Sequence, residues 1–189
     1  IVVLVKQVPD SGSERKLDPA DNTVARASAD NVINEMDEYA IEEALTIKEA
    51  QGGEVTVLTV GPDSATDAIR KALSMGADKA VHVVDDAIHG SCAVQTSAVI
   101  AAALQQMEYD LVICGAEATD AQLSVMPALL AERLGHEVRA VAGVLRTPRT
   151  ILNTATGAFG MSRRIARPNV VSTLNGKVGP NRRFAYDHR

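Results

Sequence analysis

Cysteine occurs only twice in this chain of 189 residues, as Cys92 and Cys114. Two thiols write neither a disulfide framework nor a four-ligand zinc site, and both are expected to be reduced and buried, one in a helix and one in a strand. The histidines, His82, His89, His136 and His188, are scattered without metal-ligand spacing, which argues against a metal centre. Positive charge is not in excess: the formal net charge is −5, so no basic face calls for nucleic acid or an anionic membrane. No apolar run reaches the roughly 20 residues of a membrane span. The chain also opens on an apolar strand without a basic leader, from which a cytoplasmic location is expected. Missing too are G-x-G-x-x-G, G-x-x-x-x-G-K-[ST] and G-x-S-x-G, the usual dinucleotide, P-loop and hydrolase signals. No residue is assigned a catalytic or metal-ligating role.

What the chain does have is an alternation of β-branched runs and helical stripes. The length and a hydrophobic content of 46% suit one core. Ile1 to Val5 is a continuous apolar run of strand length, as in a central parallel strand covered on both faces. Residues 9–30 lack periodicity and read as a long loop excursion. Asn34 is expected to cap a helix with Glu35, Asp37 and Glu38 in its first turn and Ala40, Ile41, Ala44 and Leu45 on its inner stripe. The run Val55 to Val60 is a second strand, followed at Gly61-Pro62 by a helix that Ser64 would cap and Gly76 would end. Ala80 to Val84 is a third strand, Ser91 to Met107 a helix, Asp110 to Cys114 a fourth strand, and Ser124 to Leu134 a helix stopped by Gly135. This grammar predicts an α/β fold: a doubly wound, mainly parallel sheet in three α/β/α layers, Rossmann-like and adenine-nucleotide-binding, over residues 1–145. Residues 146–189 are expected to add strands and a partner-contacting tail to the same domain. Val138 to Leu145 and Val170 to Leu174 are candidate strands. The basic stretch holding Arg146, Arg149, Arg163, Arg164 and Arg167, with Arg182 and Arg183 beyond, reads as turn-rich, and is either a docking surface for an acidic partner or a solvated face.

In an open α/β sheet, ligands bind beyond the carboxyl ends of the strands, near the switch in strand order. The candidate strand ends are Val5-Lys6, Val60-Gly61 and Ile113-Cys114-Gly115. The last leads through a polar loop to the helix start near Ser124, where backbone N–H groups and the helix dipole suit a phosphate. Gly115 can equally permit a turn and Ser124 cap a helix that Pro127 helps to start, and spacing leaves both readings open. Glu117 and Asp120 are either paired carboxylates or part of a solvated loop.

Several segments in order resemble the electron-transfer flavoprotein beta subunit, its bacterial members most of all. They are Val5-Lys-Gln-Val-Pro-Asp10, Asn34-Glu-Met-Asp-Glu-Tyr-Ala-Ile-Glu-Glu-Ala44, Val55-Thr-Val-Leu-Thr-Val-Gly-Pro62, Ile69 to Val83, Asp110-Leu-Val-Ile-Cys-Gly115, Thr119-Asp120 and Pro127 to Gly135. The resemblance implies a heterodimer with an alpha subunit, FAD held mainly on alpha, and electrons carried from flavin-dependent dehydrogenases to a quinone-linked oxidoreductase. It implies a structural AMP on beta, no substrate turnover by beta itself, and no membrane insertion. Matched motif by motif, the AMP positions are Leu4; Asn34, Glu35, Met36 and Asp37; Val60; and the loop with Gly115, Thr119, Asp120, Gln122, Leu123, Ser124, Val125 and Met126. Leu123 to Met126 stand where family members often carry Thr-Gly-Gln or glycine-rich sequence, which leaves the phosphate to backbone N–H groups and Ser124. Ser11 stands where some members place an aromatic residue near the flavin, and residues 146–189 are short relative to the family. The alternatives are an electron-bifurcating relative with a second FAD in place of AMP, and a stand-alone nucleotide-binding module.

Overall fold

Val2, Val3 and Leu4 alternate across the sheet and are buried on both of its faces, as a strand sandwiched between helix layers must be. The computed structural model describes residues 1–136, 138–140 and 150–153. Its elements are β1 (Val2–Leu4), β2 (Gln7–Pro9), β3 (Asn31–Ile33), α1 (Glu35–Gln51), β4 (Thr56–Val60), α2 (Thr66–Met75), β5 (Lys79–Val83), α3 (Ala93–Gln105), β6 (Leu111–Cys114), α4 (Met126–Leu134), β7 (Val138–Ala140) and β8 (Thr150–Asn153). Six strands form a parallel sheet in the order β5-β4-β1-β6-β8-β7. Strands β4 and β5 are laid down on one side of β1 and β6 on the other, so the switch in winding falls between β1 and β6.

Each face of the sheet has its own helix layer. Val3, Val57 and Ile113 pack under Ala40, Ile41 and Ala44 of α1 and Ala68, Ile69 and Ala72 of α2. Val2, Leu4, Leu58, Val112 and Cys114 pack under Ile100 and Leu104 of α3 and Leu130 and Leu134 of α4. The small alanines on the α1 and α2 stripes let the helices approach the sheet closely, and the fully buried Ile41, Leu58 and Leu104 are each worth about 1.5–3 kcal/mol of apolar burial. Gly76 ends α2 at φ +125 and Gly135 ends α4 in the left-handed region at φ 63, conformations that glycine takes without a Cβ penalty. Among the described residues no helix is long and apolar enough to cross a membrane.

Several sequence expectations are corrected. The excursion over residues 9–30 is a long loop as expected, but its two ends pair into a ribbon: β2 runs antiparallel to β3, Val8 opposite Val32, and an isolated bridge joins Leu17 to Val24. Neither expected side-chain cap, Asn34 or Ser64, forms, and nor does the alternative cap at Ser124. Asn34 stands at the N-cap of α1 without a cap hydrogen bond. Ser64 lies in a short 3-10 turn, its hydroxyl donating to Gln7 Oε1 at 3.3 Å. Ser124 lies before α4 at φ 51. Cys92 is exposed at the start of α3 rather than buried; Cys114 is buried in β6 as expected. Thr150–Asn153 is a strand inside the stretch read as turn-rich, inserted between β6 and β7. Of the candidate strand 138–145, residues 138–140 are strand; residues 141–145, the candidate strand Val170 to Leu174 and the seven arginines from Arg146 to Arg183 lie outside the described residues.

Candidate functional site

The carboxyl ends of β1 and β6 meet the start of α1 at one buried carboxylate. Lys6, immediately beyond β1, is stapled to the helix through both of its backbone groups: its N–H donates to Asp37 Oδ2 at 2.8 Å, and its carbonyl accepts from the Asn34 N–H at 2.9 Å. Gly115, at the end of β6, donates its N–H to the same carboxyl group. Burial pushes the Asp37 carboxyl up to about 7, against the opposing pull of hydrogen bonds from Asn34, the Lys6 N–H and the Gly115 N–H and of the Lys6 charge. A Cβ built on Gly115 would overlap Asp37 Oδ1 and come within 2.9 Å of the Met36 carbonyl carbon. Only glycine lets β6 pass this close to α1. Burial, with the Asp37 charge beside it, also pushes the Cys114 thiol well above the ordinary thiol range.

Asn34 performs a different task from the cap its position suggests. Its side chain is buried and points across to the loop after β6, donating from Nδ2 to the Glu117 carbonyl at 2.9 Å and accepting at Oδ1 from the Thr119 N–H at 3.1 Å. The two bonds match the amide's donor and acceptor to a backbone acceptor and donor, much as a strand would. The loop from Gly115 to Val125 is thereby fixed to the start of α1.

Asp120 anchors the same loop by charge. Its carboxylate is 1% exposed and accepts from Lys6 Nζ at 2.7 Å and from Arg26 at 2.5 Å. Burial alone would raise its pKa, but the two cations outweigh this and hold the group below the usual carboxylate value. The possible pairing of Glu117 with Asp120 is not made: Glu117 instead accepts from the Ser124 hydroxyl at 2.7 Å.

Beyond Asp120 the loop takes up a conformation suited to an anion. Gln122 and Ser124 lie at φ 49 and φ 51, the left-handed region that non-glycine residues seldom occupy. Val125 follows in the right-handed region at φ −104, ψ −14, and α4 then opens with no side-chain cap and with Pro127 in its first turn. Successive residues of opposite hand form a concave run of N–H groups, and here the run leads into a helix start. Leu123, 57% exposed, and Val125 present apolar side chains beside it. Among the described residues no group of histidine, cysteine or acidic side chains could hold a metal ion.

The structure thus brings Asn34, Asp37, Gly115, Thr119 and Asp120 into one bonded cluster. Leu4 is buried in the α3/α4 side of the core just before it, and Met36 lies with its backbone against Gly115. Val60 ends β4, the neighbour of β1. Glu35 is exposed on the first turn of α1, while Gln122, Leu123, Ser124, Val125 and Met126 form the arch into α4. Sequence reasoning missed Arg15 and Arg26, which reach this loop from the ribbon, and Lys6 as a partner of Asp120. No local sequence signal pointed to them, because Asp120 lies in a polar loop 94 and 114 positions from its cations.

A family model described as "Electron transfer flavoprotein domain" matches residues 21–180. Among curated proteins, the chain is 56% identical over 141 residues to the electron transfer flavoprotein subunit beta of Mycobacterium leprae, covering 71% of this chain and 53% of that protein. It is 40% identical over 134 residues to the subunit of the same name from Thermoanaerobacterium thermosaccharolyticum, covering 71% and 51%. It is also 41% identical over 140 residues to protein FixA of Azorhizobium caulinodans, covering 71% and 50%. The chain spans about half the length of the curated relatives it matches.

Proposed function

Because the chain belongs to the electron transfer flavoprotein domain family, with beta subunits among its curated relatives, we propose that it works as the beta half of a heterodimeric, cytoplasmic electron carrier. The alpha subunit holds most of the FAD, flavin-dependent dehydrogenases deliver electrons to the complex, and a quinone-linked oxidoreductase takes them away. FAD supplies the redox chemistry when bound; this chain contributes no substrate turnover of its own.

The beta chain holds AMP as a structural ligand at the carboxyl edge of its sheet. The observation that carries this reading is the arch into α4: a left-handed Ser124, a right-handed Val125 and an uncapped helix start, locked from behind by Asn34 and Asp120. Such an arch offers backbone N–H groups and a helix dipole to a phosphate without any basic side chain of its own. Leu4, Val60 and Gly115 bound the space at the strand ends, Leu123 and Val125 give the adenosine an apolar flank, and Glu35 to Asp37 border it from α1. The cluster has no nucleophile–base pair, which suits holding rather than turnover.

The test is to co-express the chain with its neighbouring alpha subunit, denature the purified complex and quantify the nucleotides released. One FAD and one AMP per heterodimer is the expected result. Two FAD and no AMP would transfer the site to a second flavin, and FAD alone would remove AMP from this chain. Failure to form a complex would leave a stand-alone nucleotide-binding module.

A further inference from the structure

The ribbon that carries β2 and β3 is fastened to the loops after β4, β5 and β6 at the carboxyl edge of the sheet. Arg26 bonds Asp120 at 2.5 Å and Arg15 donates to the Thr119 carbonyl at 3.2 Å, both on the loop between β6 and α4. Near the ribbon's tip Asp21 meets His89 at 2.6 Å, on the loop after β5. At its base Gln7 Nε2 donates to the Ser64 carbonyl at 2.9 Å, just after β4. The arm therefore crosses the end of the sheet at which the nucleotide is placed.

Between β2 and β3 the arm's apolar side chains are at most half-buried, as Val24 and Ala25 are. From residue 10 to residue 30 no side chain is buried, so the segment contributes nothing to either core and depends on polar fastenings. Segments of this kind open locally at a free energy far below that of global unfolding. The fastenings are unequal. Asp21–His89 and Arg15–Thr119 are exposed, and such contacts are weak and screened by salt. Arg26–Asp120 engages a carboxylate that is 1% exposed, where losing one of two cations is costly. Its other cation, Lys6, sits just past the rigid strand β1 and stays in place whether the arm is open or shut.

We propose that Arg26 is the clasp of a lid: a positioning residue that shuts the ribbon arm over the loop from Gly115 to Val125 and sets how fast a bound adenine mononucleotide leaves. This rests on the reading that the edge holds such a nucleotide. Asp120 belongs to the clasp rather than to the ligand shell, because its carboxylate is already occupied by Lys6 and Arg26.

The experiment loads the full-length heterodimer with a fluorescent AMP analogue, displaces it with excess AMP, and follows amide exchange over residues 10–30 in parallel. Arg26→Gln should release the analogue about tenfold faster, the loss of one charge-assisted bond, with faster exchange in the arm and unchanged exchange in strands β1 and β4. Arg26→Lys should restore most of the slow release. Release at the original rate from Arg26→Gln, with or without faster arm exchange, would overturn the lid. A heterodimer that binds no adenine mononucleotide even before substitution would overturn the site itself, a result distinct from a bound nucleotide that ignores Arg26.

Discussion

Gly115 and Asp37 stand so close that a single methyl group on Gly115 would fall on the Asp37 carboxylate. The contact joins the end of β6 to the first turn of α1, across the point where the sheet changes its direction of winding. Three backbone or side-chain donors converge on that carboxyl group from Lys6, Asn34 and Gly115, which makes it the hub of the site.

Gly115→Ala should already be destabilising, because the obstacle is a carboxyl oxygen and main-chain atoms rather than the tip of a flexible side chain. Overpacking of this kind costs about 1–3 kcal/mol. Gly115→Val should further displace the loop and abolish nucleotide retention by the purified heterodimer. Full nucleotide content in Gly115→Val would separate this glycine from the site.

Asp37 gives the protein a pH dependence of definite sign. Its folded-state value, about 7, lies above the ordinary carboxylate value of 3.8, so the native state binds its proton more tightly than the unfolded chain does. The resulting stability is fully present below about pH 4, declines as pH rises through about 7, and is gone above that. Asp37→Asn, isosteric with the protonated form, should remove this slope. Chemical denaturation at intervals between pH 4 and pH 8 measures it. An identical pH profile in Asp37→Asn would place the titration elsewhere.

Asn34→Ala should cost about 2 kcal/mol, more than a lost cap, because it strands the Glu117 carbonyl and the Thr119 N–H. Asn34→Ser is the sharper variant. It supplies a helix cap as good as asparagine's and cannot span to the loop, so it should be nearly as unstable as Asn34→Ala and should lose nucleotide equally. Recovery of stability in Asn34→Ser would mean that capping, not latching, is what Asn34 does.

The two cysteines should differ sharply toward a thiol reagent. Cys92 is exposed at the start of α3, and hydrogen bonds from the Gln95 and Val94 N–H groups lower its pKa; Cys114 is buried with its pKa raised. One thiol should react in the native protein and the second only on unfolding. Cys92→Ser should eliminate the native reaction while leaving the slow phase. Two equally fast thiols would contradict the buried position of Cys114.

The parallel core was legible because it is written in short-range pattern. Val55 to Val60 and the Ala68, Ile69, Ala72 stripe announce their elements without any knowledge of neighbours, whereas the spatial order that sets the switch between β1 and β6 came from the structure. The ribbon was not legible: Gln7-Val8-Pro9 and Asn31-Val32-Ile33 are three residues each, one carries a proline, and their pairing is specified only across 21 intervening residues. The roles of individual site residues failed for the same reason. A residue such as Asn34 before an acidic first turn has the local signature of a cap, and its true partners lie 83 and 85 positions away. Asp120 is separated from its cations by 94 and 114 positions, so its ion pairs leave no local trace.

The central position of β1 also governs how the chain can acquire its fold. Val2 pairs with Thr56 on one side and Val112 on the other, so the middle of the sheet is completed only when segments more than a hundred residues apart along the chain have met. Closing so large a loop carries an entropic penalty before any contact repays it. Until β6 arrives, one edge of β1 and the apolar residues Val2 and Leu4 are uncovered, and a folding intermediate made of β1, β4 and β5 exposes an adhesive strand edge. Refolding of this chain should therefore become less efficient as protein concentration rises, with self-association through β1 as the competing reaction.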